Sequence, residues 1–154
     1  MLNDFTIRGA RPEDLGQVIA LCYEHAAFEK AEISDQVQWA DLSERLFQAK
    51  DVHCLVVERE KRVEGFATFM KQFSTWDAAY YIYLDCLYLK ESARGHGLGQ
   101  AVMKSIATLA KAQGCMWVQW QTPDFNKSAI RFYEKLGATS KSKKRFFWSV
   151  QAGG

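Results

Sequence analysis

The run Arg94-Gly95-His96-Gly97-Leu98-Gly99-Gln100 sets alternating glycines behind an arginine and just ahead of a helical pattern. Glycine has no side chain, so the backbone there can approach a ligand closely. The first N–H groups of a helix have no intrahelical partner and sit at the positive end of its dipole, where they attract phosphate. The run reads either as a phosphate cradle, with Arg94 adding charge, or as a tight strand-to-helix connection without a ligand. Upstream, Asp85 is a carboxylate inside an otherwise apolar strand pattern. Such a group is a proton acceptor or a hydrogen-bonded structural residue at a bulge. Downstream, Tyr133 carries a phenol with a pKa of about 10, able to donate a proton. Tyr133 also reads as a helix aromatic paired with Phe132. His25, His53 and His96 are not spaced as metal ligands, and Cys22, Cys54, Cys86 and Cys115 form no CxxC pair, so no metal is expected.

Positioning these groups requires a folded core. The chain has 154 residues, is 48% hydrophobic and carries a formal charge of +2. That suits one globular domain over residues 1–154. The near-neutral balance excludes nucleic acid as the expected partner, and the cluster Lys141, Lys143, Lys144 and Arg145 reads as a solvated turn. The N-terminal residues lack the basic start and apolar core of a secretory signal, and no apolar run is long enough to span a membrane. The dispersed cysteines read as small buried residues in a reducing compartment, so a cytoplasmic protein is expected.

The elements follow from periodicity and punctuation. Phe5 to Arg8 alternates as a first strand, and Arg11-Pro12-Glu13-Asp14 opens a helix ending near Phe28, striped by Leu15, Val18, Ile19, Leu21 and Cys22. A second helix is predicted from about Asp35 to Ala49. Val52 to Glu58 and Val63 to Met70 read as a hairpin, Lys71 to Asp77 as a loop, and Tyr80 to Leu89 as the longest strand. Gly97 to Gln113 is a helix, Cys115 to Gln121 a strand, and Asn126 to Leu136 a helix capped by Asn126 and closed by Gly137. Phe146 to Val150 is predicted as a last strand, with the tail Ala152 to Gly154 loose. The unit from Tyr80 to Gln121 should be parallel and right-handed. The order is β-α-α-β-β-β-α-β-α-β, a mixed sheet covered by helices.

With Arg94-Gly95-His96-Gly97-Leu98-Gly99 and Asn126-Lys127-Ser128-Ala129-Ile130-Arg131-Phe132-Tyr133-Glu134-Lys135-Leu136-Gly137-Ala138 in this order and separation, the chain resembles the GNAT N-acetyltransferase superfamily. Ile7-Arg8, Ala27-Phe28-Glu29, His53 to Val56, Gly65 to Ala67 and Tyr83-Leu84-Asp85 look like its diamine (spermidine/spermine) and thialysine acetyltransferase branch. The resemblance implies an α/β fold of mixed α+β type, with a mostly antiparallel sheet whose parallel fourth and fifth strands splay apart. It implies acetyl-CoA as cosubstrate and direct transfer of its acetyl group to a primary amine of a small molecule, a polyamine, diamine or lysine-like amine. Another amine (an amino acid, an aminoglycoside-like amine or a protein N-terminus) and a non-catalytic acyl-CoA-binding module are the alternatives.

The same resemblance distributes the roles. Gly95, His96, Gly97, Leu98, Gly99 and Gln100 hold the pyrophosphate with Arg94. The backbone of Leu87, Tyr88 and Leu89 pairs with pantetheine, and Asn126, Ser128 and Tyr133 complete the cofactor contacts. Tyr133 protonates the leaving thiolate, and Asp85 draws the proton off the amine through water. Phe28, Glu29, Asp85, Trp76 and Trp120 meet the amine, whose positive charge calls for Glu29, Glu32 and Asp85 along its path. Cys86 stands where diamine-acting relatives tend to carry a second acid, which puts spermidine in doubt. Strand alternation places Asp85 and Leu87 on one face and Cys86 on the other. A homodimer is expected by analogy alone.

Overall fold

A computed structural model describes residues 4–150. They fall into two compact units that meet in sequence between Pro123 and Asp124. The first carries a five-stranded sheet in the order β1-β2-β3-β4-β5. Its elements are β1 (Thr6–Gly9), α1 (Leu15–Phe28), α2 (Trp39–Ser43), β2 (His53–Arg59), β3 (Arg62–Ser74), β4 (Ala79–Leu89), α3 (Leu98–Ala112) and β5 (Val118–Gln119). The second carries α4 (Lys127–Lys135). The tail Ala152 to Gly154 lies outside the described residues.

The first three strand pairings are antiparallel and the last, β4 with β5, is parallel. α1 begins where expected, after a 3-10 turn at Pro12–Asp14, and buries Val18 and Leu21. They pack with Leu46, Cys54, Val56, Val63 and Phe66, and half-buried Cys86 and Tyr88 lie against the same cluster. The helix predicted from Asp35 starts later, at Trp39, and continues as a π-helical turn over Glu44–Ala49. The alternating glycines sit at the entry to α3, whose buried face is Leu98, Val102, Met103, Ile106 and Ala110.

Further expectations are corrected. Lys71 to Ser74, predicted within a loop, instead extend β3 and pair with β4 as far as Ser74↔Ala79, because the β4 edge offers them partners. Phe146 to Val150 forms no strand: residues 138–150 contain neither helix nor strand, and Phe146, Phe147, Trp148 and Val150 are exposed. Strand-like composition alone does not make a strand, because pairing needs a partner edge that local sequence does not specify. The strand predicted from Cys115 shrinks to two ladder residues, preceded by the Met116 N–H donating to the Tyr80 carbonyl and the Trp117 carbonyl accepting from the Ile82 N–H. Simple alternation through Asp85 also fails. Thr68 pairs with Cys86 and Phe69 with Leu84, so Asp85 is an added residue with no opposite number. Such a bulge shifts the face of everything beyond it. Leu84 and Leu87, three apart, therefore share a face, since they pair with Phe69 and Ala67.

Candidate active site

The glycine loop has the backbone its composition requires. Gly95 and Gly97 sit at φ 80° and 76°, in the left-handed region that favours glycine. A Cβ at either would meet nothing within 4 Å. Conformation, rather than crowding inside the protein, demands these glycines, and the space beside them is open to a ligand. Gly97 is the N-cap of α3, and its carbonyl accepts from the Ala101 N–H at 3.1 Å. Gly99 and Gln100 fall in the first turn of a 15-residue helix, after Leu98, which anchors it in the core. His96 is half-buried, its ring 5.4 Å from that of Phe5.

A residue absent from the sequence expectations holds the loop's approach. Glu64 is a buried carboxylate on β3. It accepts from the Ser92 hydroxyl at 2.8 Å, its carbonyl accepts from the Lys90 N–H at 2.8 Å, and Arg59 pairs with it at 3.5 Å. Next to it, Gly65 faces Leu89 so closely that a Cβ would stand 2.9 Å from the Tyr88 carbonyl oxygen. Glu64 could have been noticed as an acid inside an apolar strand pattern, the same signal that singled out Asp85.

β4 and β5 separate just where the candidate base sits. Their ladder comprises Ile82↔Val118 and Tyr83↔Gln119. Beyond Tyr83, the β4 stretch containing Asp85, Leu87, Tyr88 and Leu89 has no ladder partner on that side among the described residues. An extended ligand with amide groups fits such an edge, because it can take up the free hydrogen-bonding positions. Gln121, past the ladder, donates from Nε2 to the Tyr83 hydroxyl at 3.2 Å, and Trp120 beside it is half-buried.

At the bulge Asp85 is exposed, and it lies within electrostatic reach of Cys86 and of Cys22 on α1. Burial, then the Asp85 charge, pushes the Cys86 thiol up to about 12. Glu29, following α1, adds a smaller push in the same direction. Burial and Asp85 likewise raise Cys22 to about 11. These thiols stay protonated at neutral pH and are poor nucleophiles. Glu29 also meets His25 Nε2 at 3.0 Å.

At the far end of β4 lies an open groove of about 620 Å³ lined by Glu24, Phe28, Tyr88, Lys90, Glu91, Ser92 and Arg94. The Arg94 guanidinium lies 4.9 Å from the Phe28 ring and 5.6 Å from the Tyr88 ring, and its Nε–H donates to the Leu89 carbonyl at 2.9 Å. Phe28 is thus joined to the loop arginine. Trp76 is not: it sits in the β3–β4 turn, 97% exposed, roughly 30 Å along β4 from Tyr88 at about 3.4 Å per residue.

In the second unit, Asn126 caps α4 as expected, its side-chain oxygen accepting from the Ala129 N–H at 3.3 Å and from the Ser128 hydroxyl at 3.3 Å. Gly137, at φ 96°, closes the helix: its N–H donates to the Glu134 carbonyl and that of Ala138 to the Tyr133 carbonyl. Tyr133 is half-buried, its ring 5.2 Å from that of Phe132.

The sequence profile described as "Acetyltransferase (GNAT) family" matches residues 17–138. A thialysine N-epsilon-acetyltransferase of Bos taurus is 34% identical over 146 residues, covering 86% of this chain and 82% of its own. One of Caenorhabditis elegans is 27% identical, covering 99% and 94%. Among solved structures, an aminoglycoside acetyltransferase from an uncultured soil metagenomic sample superposes with a TM-score of 0.78 over 97% of this chain and 99% of its own, at 16% identity. Loop, parting strands and capped helix thus belong to a chain that is a member of the GNAT acetyltransferase family.

Proposed function

We propose that this N-acetyltransferase moves the acetyl group of acetyl-CoA directly to the side-chain amine of a small lysine-like molecule. The observation that carries this reading is the exposed carboxylate of Asp85, bulged out of β4 just where the β4–β5 ladder has ended. A carboxylate beside an open strand edge suits a cationic amine approaching an extended acyl donor. The name of the 34%-identical bovine relative favours a lysine analogue. The absence of a second acid at Cys86 weighs against spermidine.

The cosubstrate supplies a thioester whose acyl carbon an amine can attack. The chain's residues fit it: the open loop with left-handed Gly95 and Gly97, the α3 N-terminus and Arg94 suit a pyrophosphate. The free edge at Leu87, Tyr88 and Leu89 suits the pantetheine amides. Asp85 accepts the amine's proton through water, since only the neutral amine is a nucleophile. Glu29 holds the cation on approach. Tyr133 returns a proton to the departing sulfur. Asn126 and Ser128 are the further cofactor contacts of this reading. Trp76 and Trp120 are the aromatic candidates along the amine's path. The two units act as one catalytic domain, forming a homodimer in the cytoplasm, which sizing and fractionation check.

The experiment is coenzyme A release over a panel of lysine, thialysine, putrescine and spermidine. The lysine-like amines should give the highest kcat/KM. Asp85→Asn and Tyr133→Phe should each lower kcat by about 10²-fold or more, the first with a changed pH profile. Unchanged turnover in Tyr133→Phe would make that residue structural. A preference for spermidine would overturn the substrate assignment.

A further inference from the structure

Phe28 lies near the end of α1 beside Glu29, which invites placing it on the amine. Its contacts lead elsewhere. Its ring is 46% exposed, meets the Tyr88 ring at 6.1 Å and 61°, and lies against the Arg94 guanidinium. Tyr88 is braced from α1 by His25, whose ring stacks on it at 5.4 Å and 29°. Its hydroxyl donates to Glu24 at 3.4 Å, and Glu24 pairs with Lys90 at 3.0 Å.

Arginine is a planar fork whose faces stack on aromatic rings while its N–H edges bind phosphate. In Arg94 the rings attend the guanidinium, and Nε is committed to the Leu89 carbonyl. The two Nη groups are left to turn toward an anion at the glycine loop. An exposed arginine without these contacts would have to be immobilised when the ligand arrives.

The geometry points to Phe28 and Tyr88 as positioning residues for Arg94: an aromatic cradle that holds the guanidinium ready for the cofactor's pyrophosphate. This rests on the acetyl-CoA reading. It assigns Phe28 to the cofactor side of the site, and it ties the last turn of α1 to the phosphate loop. Nothing in the Phe28 sequence context announces this, because the partner is 66 positions away.

Calorimetric titration with coenzyme A tests it on the full chain. Phe28→Leu should weaken binding about two- to fivefold, the range of an exposed cation–π contact, and Tyr88→Leu should do the same. Phe28→Tyr should restore binding. In an Arg94→Ala background, Phe28→Leu should add nothing further. Far-UV circular dichroism and thermal melts establish that each variant is folded; Phe28 is exposed enough that leucine is tolerated. An unchanged coenzyme A Kd in Phe28→Leu overturns the cradle, as does an equal loss with and without Arg94. A raised amine KM with unchanged coenzyme A binding returns Phe28 to the amine. If Arg94→Ala itself binds coenzyme A normally, the arginine grip of the acetyl-CoA reading falls, and the cradle with it.

Discussion

The two ends of β4 are built differently. Toward Leu89 the strand is hemmed in: Gly65 presses on it, Glu64 ties down Lys90 and Ser92, and Phe28 and Tyr88 hold Arg94. Toward Ala79 it runs with β3 into a hairpin, from Lys71 to Tyr81, that outreaches β2, whose pairing with β3 stops at Phe69. Phe73 and Tyr80 are about half-exposed there and Trp76 almost wholly so. Its contacts are those of a solvated surface: Lys71 Nζ lies 4.3 Å over the Tyr80 ring, and Tyr81 stacks on Trp117 at 5.1 Å. The braced end can pre-organise charge, and the free end can tolerate change. On this contrast, substitutions at the first end should cost stability and those at the second should not.

The largest effect is expected at Arg8, on β1. Arg8 makes two hydrogen bonds to Asp14, at 2.7 and 3.0 Å, and one to Glu58 at 2.7 Å. Asp14 is only 4% exposed, so Arg8→Ala strands a buried carboxylate and should destabilise by about 3 kcal/mol at pH 7. The hydrogen bonds from Arg8, then that from the Arg11 N–H, hold Asp14 below its ordinary 3.8, against the opposing effect of burial. The folded-state value is thus the lower one. Asp14's contribution to stability is fully present above about pH 4 and is lost as pH falls through the folded value. Urea denaturation at pH 7 and pH 3.5 should show the gap between wild type and Arg8→Ala narrowing in acid. A gap that is constant, or smaller than about 1 kcal/mol at pH 7, would show that this ion network contributes little to the sheet behind β4.

Gly65→Ala comes next. The added carbon would stand 2.9 Å from the Tyr88 carbonyl oxygen and 3.3 Å from the Leu89 Cα, so the β3–β4 contact must shift. The expected destabilisation is about 1–3 kcal/mol. Because the displaced residues lead into the phosphate loop, coenzyme A binding should weaken too. A variant that melts as wild type and binds as wild type would show that the close approach is slack.

Sequence and structure agree where the determinant is local. Gly95 and Gly97 are readable because left-handed φ selects glycine, and Asn126 and Gly137 because each caps within a few residues. The β2–β3–β4 meander is readable because apolar runs alternate with polar turns. The bulge at Asp85 is readable only in part: a carboxylate in an apolar strand pattern raises it, but an added residue looks the same in sequence as a paired one, so the faces of Cys86 and Leu87 that it reassigns are not readable. Glu64, Gly65 and Phe28 owe their roles to partners 23 to 66 positions away, which no local pattern encodes. The Phe146 to Val150 segment fails for a related reason, since its composition carries no information on an available edge.

The smallest effect is expected at the free end. Trp76 is 97% exposed, so Trp76→Ala removes almost no buried area and should leave stability within about 0.5 kcal/mol. Its value lies in the kinetics. The hairpin stands roughly 30 Å along β4 from the Arg94 cradle, so coenzyme A affinity should not change. A rise in the amine KM alone would make the hairpin part of the substrate path and give the free end a function that depends on its exposure. No change in either constant would confine the site to the stretch between the Asp85 bulge and the loop. Weakened coenzyme A binding is the one result that would break the contrast, because it would join the two ends of β4 energetically without any contact between them.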